Sequence, residues 1–166
     1  RQVTIESLAK AAGIAKNTLR KYLDYLEAAF LIRRVARVNK NAHRYQRQVA
    51  FKIYLTTPSL YAALFAPLPA TDAQFQRLAE TALVAQWLGA AEVEGLAYAS
   101  WPGSSIDLIA LDAETDRPVR IYKIDWQDAY SRGGVPAELV KFIKTTNSAA
   151  RPYMLTSATT RMAFIR

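Results

Sequence analysis

A chain of 166 residues, 51% hydrophobic and 22% charged, has the size and balance of one ordinary globular domain or two small ones. It has no cysteine, which excludes disulfides, thiolate metal sites and cysteine nucleophiles, and a single histidine, His43, which excludes a histidine-rich metal centre. The net charge is +8, and the excess is confined to residues 1–58, which hold 12 Lys/Arg against 3 Asp/Glu, whereas residues 59–166 hold 10 against 11. That asymmetry points to a polyanionic partner for the first third of the chain, with a solubilising basic surface as the plain alternative. The most apolar stretch, 61–68, contains Pro67 and falls well short of the roughly 18 residues of a membrane span. No secretory signal pattern opens the chain, so the expectation is a cytoplasmic protein with no membrane partner.

In chain order, Ile5, Leu8, Ala9 and Ala12 repeat at the spacing of one helix face, with Thr4 as N-cap and Gly13 as the stop. A second helix is expected over 16–29, with Leu19, Leu23, Leu26 and Phe30 as its buried stripe. Lys16, Asn17, Arg20 and Lys21 lie on its outer face. Two helices joined by a tight glycine-containing turn have the pattern of a helix-turn-helix, whose second helix presents its first residues to the DNA major groove. Two strands, 31–38 and 49–55, then read as a wing. Arg34, Arg37, Lys40, Arg44 and Arg47 are spread along it at a density that suits phosphate contacts. His43 reads as a solvated wing residue. Only two helices precede the wing where three are usual, and residue 1 is not Met. Both lead to the expectation of a missing upstream helix in a longer polypeptide.

After a short helix from Pro58 to Leu64 and a proline-rich connection at 66–72, a long helix is expected over 72–88, with Thr71 and Gln74 as a capping box. Its apolar residues run nearly all round, so it should be buried, and Glu80 in its middle then needs a partner or a task. Strands are expected at 96–101, 106–111 and 119–124, a helix at 136–144, and a final strand or pair at 153–157 and 162–165. The fold class is therefore α+β: a winged helix-turn-helix module at 1–58 followed by an α/β layer domain at 59–166.

The run SLAKAAGIAKNTLRKYLDYLEAAFLIRRV followed by KIYLTTPSL resembles the C-terminal region of a large group of prokaryotic AAA-type ATPases. That region is a domain of unknown function, a winged helix joined to a fold similar to the PD-(D/E)xK, or restriction-endonuclease-like, nucleases. The resemblance implies an upstream ATPase domain in the same polypeptide and double-stranded DNA as partner. No glycine-rich phosphate loop lies in these residues, so no nucleotide cofactor is expected here. In nucleases of that fold, acids on a helix and on strands surround Mg²⁺ and a lysine helps to activate water. The resemblance carries the helix acid to Glu80, the strand acid to Asp107 and the lysine to Lys123. The remaining acid position falls on Ile121, which has no ligand atom, and Ser105 stands where many members carry a further acid. Asp125 shares the strand face of residues 121 and 123 and is the candidate replacement. These four residues read as vestiges of a site, with no confident metal ligand. Lys123 is the expected partner of Asp107, and Arg120, Lys123 or a backbone donor that of Glu80. An acid restored at position 121 would be expected to strengthen metal binding. Two alternatives stay open: an active Mg²⁺-dependent nuclease, and a protein-interaction module without DNA binding.

Overall fold

The computed structural model describes residues 2–46, 49–65, 68–69, 71–72, 74–88, 95–125, 136–146, 149–156 and 163–164, with backbone alone for 87–88 and 163–164. The element order is β1 (Gln2–Thr4), α1 (Ile5–Ala12), α2 (Lys16–Ala28), β2 (Ile32–Val38), β3 (Ala50–Leu55), α3 (Pro58–Phe65), α4 (Phe75–Leu88), β4 (Gly95–Trp101), β5 (Ser104–Leu111), β6 (Pro118–Asp125), α5 (Ala137–Thr146), β7 (Arg151–Thr156) and β8 (Ala163–Phe164). This is the expected mixed α and β class. Among the described residues, no helix is long and apolar enough to cross a membrane.

Local chemistry sets the first helices. Thr4 Oγ1 accepts from the Ser7 N–H at 3.0 Å and Ser7 Oγ accepts from the Thr4 N–H at 3.1 Å, a reciprocal capping box. Gly13 closes α1 at φ 66°, a left-handed position that glycine adopts without a Cβ penalty. Leu19 and Leu23 of α2 then pack with Ala9, Ile32 and Phe51 in a small core. The expected stripe ends there. Leu26 is exposed, and Phe30 is 82% exposed at φ 55°. The helix stops at Ala28, so helical periodicity no longer governs where Phe30 points. The left-handed turn is held by the Phe30 carbonyl accepting from Thr56 Oγ1 at 2.5 Å.

Among the described residues, eight strands form one sheet in the order β1-β3-β2-β4-β5-β6-β7-β8. The three-residue β1 was not expected; it pairs antiparallel with β3, Val3 opposite Phe51. β2 pairs antiparallel with β3 on one edge and parallel with β4 on the other, Arg37 opposite Tyr98. The hairpin of residues 32–55 is thus hydrogen-bonded into the sheet of the later residues across position 58. Its loop follows: Ala42 is buried among Val38, Ala97 and Leu111. α4 starts at Phe75 rather than 72. Just before it, the Asp72 carboxylate accepts from the Gln74 N–H at 2.7 Å in a local turn.

Neighbouring strand residues point to opposite faces, and the two larger cores follow that rule. One contains Tyr54, Tyr98, Leu108, Tyr122 and Ile124 with Leu83 and Val84 of α4. The other contains Ile109 and Ile121 with Leu139 and Phe142 of α5. α4 is not buried all round, since Arg77 and Gln86 are exposed.

Candidate functional site

Asp107 and Lys123, singled out in the sequence, meet at a β-bulge. Ala97 pairs with Ile109 and Ala99 with Ile106, so Asp107 and Leu108 on β5 face only Tyr98 on β4. A bulge of this kind re-aims a side chain and interrupts pairing. Asp107 uses that freedom: its Oδ2 accepts from the Ile124 N–H at 2.8 Å, a bond to the next strand made by the side chain. Lys123 Nζ stands 3.6 Å from the same oxygen, 3.8 Å from Glu138 Oε1 of α5, and donates to the Ser105 carbonyl at 3.2 Å. The expected Asp107–Lys123 pair is therefore present, with Glu138 as a further carboxylate beside the lysine.

Glu80 has different partners from those expected. Its Oε2 accepts from Tyr54 Oη at 2.6 Å and lies 3.4 Å from Lys52 Nζ. Lys52 also donates to the Asp107 carbonyl at 3.1 Å and lies 5.2 Å from the Tyr98 ring centroid. Lys52 and Tyr54 both sit in the KIYLTTPSL segment, and neither was singled out. The alternation of a strand, which puts both on one face, was the available signal. Asp125 is buried at the end of β6, opposite Thr156 of β7. Ile121 is fully buried on the α5 face, among Ile109, Leu139 and Phe142.

Burial raises the Asp107 pKa above its ordinary value of 3.8, against the pull of Lys123, Lys52 and the Ile124 N–H. Burial, then the charge of Glu80, pushes the Tyr54 hydroxyl far up, so it stays a donor. An acid with a raised folded-state pKa binds its proton more tightly folded than unfolded. Its contribution to stability is complete below the unfolded value and is lost as pH rises through the folded one. The stability of the natural chain relative to Asp107→Asn should therefore fall from about pH 4 upward, as read by urea unfolding across that range. A relative stability that rises instead would mean that the lysines outweigh burial.

The basic residues divide into two groups. Lys16, Asn17, Arg20, Lys21 and Lys40 are exposed; Lys16 Nζ lies 2.6 Å from Glu6 Oε1 and Arg20 Nη1 donates to Asn17 Oδ1 at 2.9 Å. Arg34 and Arg37 are half-buried and tied into the protein, and Arg44 is exposed but paired. Arg34 donates through Nε to Glu27 Oε2 and through Nη2 to Asp24 Oδ1, both at 2.7 Å, tying β2 to α2. Arg37 donates to the Ser100 carbonyl and lies beside the Tyr45 ring. Arg44 Nε lies 2.9 Å from both Asp116 oxygens. Its guanidinium rests over Gly95, where an added Cβ would come within 3.1 Å of Nη2. Arg47 lies outside the described residues. His43 is exposed. A cleft of about 910 Å³ runs between this loop, the β5–β6 turn and the end of α5, lined by His43, Arg44, Asp116, Arg117 and Thr146 among others. It includes none of the Glu80–Asp107 cluster.

Two carboxylates flanked by two ammonium groups are a poor cage for Mg²⁺, which takes oxygen ligands in octahedral geometry. Among the described residues no group of three or more His, Asp or Glu side chains is arranged to hold a metal ion. Residues 1–73 match a family described as a domain of unknown function (DUF8612), a match that covers less than half of the chain. No curated protein and no solved structure matches the chain.

Proposed function

We propose that the chain is a DNA-docking unit, a winged helix joined to a catalytically inert nuclease-like body, and that the start of α2 is its contact surface. The contrast between the two groups of cations carries this reading. An exposed pair such as Lys16–Glu6, with side chains 54% and 75% exposed, is weak and is readily exchanged for a phosphate. The Arg34 ties are shielded and multiple, so Arg34 stays with the protein. Ala15 at the N-cap makes no side-chain cap bond and the first turn has no acid. The leading N–H groups of α2 therefore suit an anion. The order β1-α1-α2-β2-β3, with β3 between its two partners, supports the winged-helix reading. Lys16, Arg20 and Lys21 would then meet phosphate or guanine, and Asn17 adenine. Asp107 beside Lys123, with Glu80 and the Asp107 carbonyl joined through Lys52, supports the nuclease-like reading of the rest, and the resemblance supports an AAA-type ATPase as its partner in the same polypeptide.

Fluorescence anisotropy with duplex DNA tests this. If about four or five phosphates are neutralised, log affinity should fall with log salt at a slope near −4. Lys16→Ala and Arg20→Ala should each weaken binding. Arg34→Ala should instead cost about 1–2 kcal/mol of stability and leave affinity unchanged. A flat salt dependence would remove DNA from the account.

One observation favours a second reading. Tyr22, Tyr25 and Leu26 are exposed on α2, with Phe30 and Leu31 just beyond it. Exposed aromatics of this density belong to protein-docking surfaces. Tyr25→Ser/Phe30→Ser leaving DNA affinity intact would separate that surface from the DNA one.

A further inference from the structure

We propose that the Lys52 ammonium is the resident cation of the buried site, standing between Glu80 and Asp107 where a nuclease of this fold would hold a divalent ion. The inference rests on the nuclease-like reading and adds to it a reason, independent of Ile121, for the absence of metal chemistry. Lys52 comes from β3, outside the segment that carries Glu80, Asp107 and Lys123. Its side chain is only 13% exposed and crosses the sheet face toward α4. The head group touches one oxygen from each acidic residue, the Glu80 carboxylate at 3.4 Å and the Asp107 carbonyl at 3.1 Å. The Tyr54 and Tyr98 rings lie 6.0 and 5.2 Å from the nitrogen, so aromatic faces complete its surroundings. Oxygens from two elements plus aromatic faces form a cation site, and a tethered ammonium fills it. A divalent ion would have to displace a charge covalently fixed in place and would meet it at contact distance.

The test is Lys52→Ala, which removes the tethered cation and leaves its oxygens. Mn²⁺ binding is read by electron paramagnetic resonance and the thermal midpoint by circular dichroism, with ethylammonium as a monovalent comparison. The natural chain should take up no Mn²⁺ that Glu80→Gln abolishes. Lys52→Ala should bind Mn²⁺, and its midpoint should rise by about 3–6 °C at ten times the apparent Kd. If Lys52→Ala folds poorly, its refolding yield with Mn²⁺ is the readout, and recovery is expected. Lys52→Met/Glu80→Gln removes both charges and should fold without response to Mn²⁺. Rescue by ethylammonium but not by Mn²⁺, rescue by neither, or a Mn²⁺ response that survives the double substitution overturns the inference. Mn²⁺ binding and DNA cleavage by the natural chain would instead overturn the inert nuclease-like reading itself.

Discussion

Glu80→Ala is expected to destabilise the protein by about 3–5 kcal/mol, the usual cost of removing one partner of a buried ion pair. Glu80 is buried mid-helix with its Oε2 on Tyr54 Oη and near Lys52 Nζ. Alanine there leaves an ammonium inside the protein with a carbonyl and the neighbouring Asp107 for company. It also orphans a hydroxyl that burial keeps protonated. For a chain of this size the loss should appear as a fall in thermal midpoint of about 10 °C, taking 2–4 °C per kcal/mol. Glu80→Gln keeps an acceptor for Tyr54 and should lose roughly half as much, since only the charge is gone. Urea unfolding followed by circular dichroism measures both. A loss under about 1 kcal/mol for alanine would mean that water replaces the carboxylate and that the network is not tight.

The same residue marks the boundary of what could be read from the chain. A glutamate in the middle of an apolar helix announces a buried carboxylate, because nothing else explains its position. Its partners are another matter. Lys52 and Tyr54 reach it only because β2 joins β4 in parallel and so brings β3 across the α4 face, a pairing between residues about sixty positions apart. No periodicity encodes that register. The capping chemistry of α1, the strands β4 to β6 and the Asp107–Lys123 pair rest on short spacing or on strand alternation, and they were legible for that reason. β1 is three residues long and has no local signal at all. Charge counting located the basic third of the chain but not its loyalties. Arg34 finds Glu27 and Asp24 through the turn between α2 and β2, and Arg44 finds Asp116 seventy-two positions away. Phe30 continues a helical spacing past the point where the helix sets direction, and both it and Leu26, which is still inside α2, are exposed.

Ile121→Glu is expected to be more damaging still, at more than about 4 kcal/mol, and to recruit no metal. Position 121 is the gap in the (D/E)xK pattern, so an acid there looks like a repair. The fold argues otherwise. Ile121 and Tyr122 point to opposite faces of β6. Tyr122 lies in the core that contains Leu83 and Val84 of α4, the helix of Glu80, whereas Ile121 lies among Ile109, Leu139 and Phe142 beneath α5. A carboxylate at 121 would therefore enter a largely apolar layer on the far side of the sheet from Glu80. It would have to stay protonated or unfold its surroundings, and the unbranched side chain would also fill the packed position poorly. Against a total stability of roughly 5–15 kcal/mol, such a change can abolish folding. Ile121→Leu, which keeps an apolar side chain of equal size, should lose less than about 1.5 kcal/mol. The measurement is urea unfolding of both variants with and without Mn²⁺. A folded glutamate variant that Mn²⁺ stabilises only while Glu80 is present would show that β6 can turn this position toward Glu80, and the two-face description of the site would then be wrong.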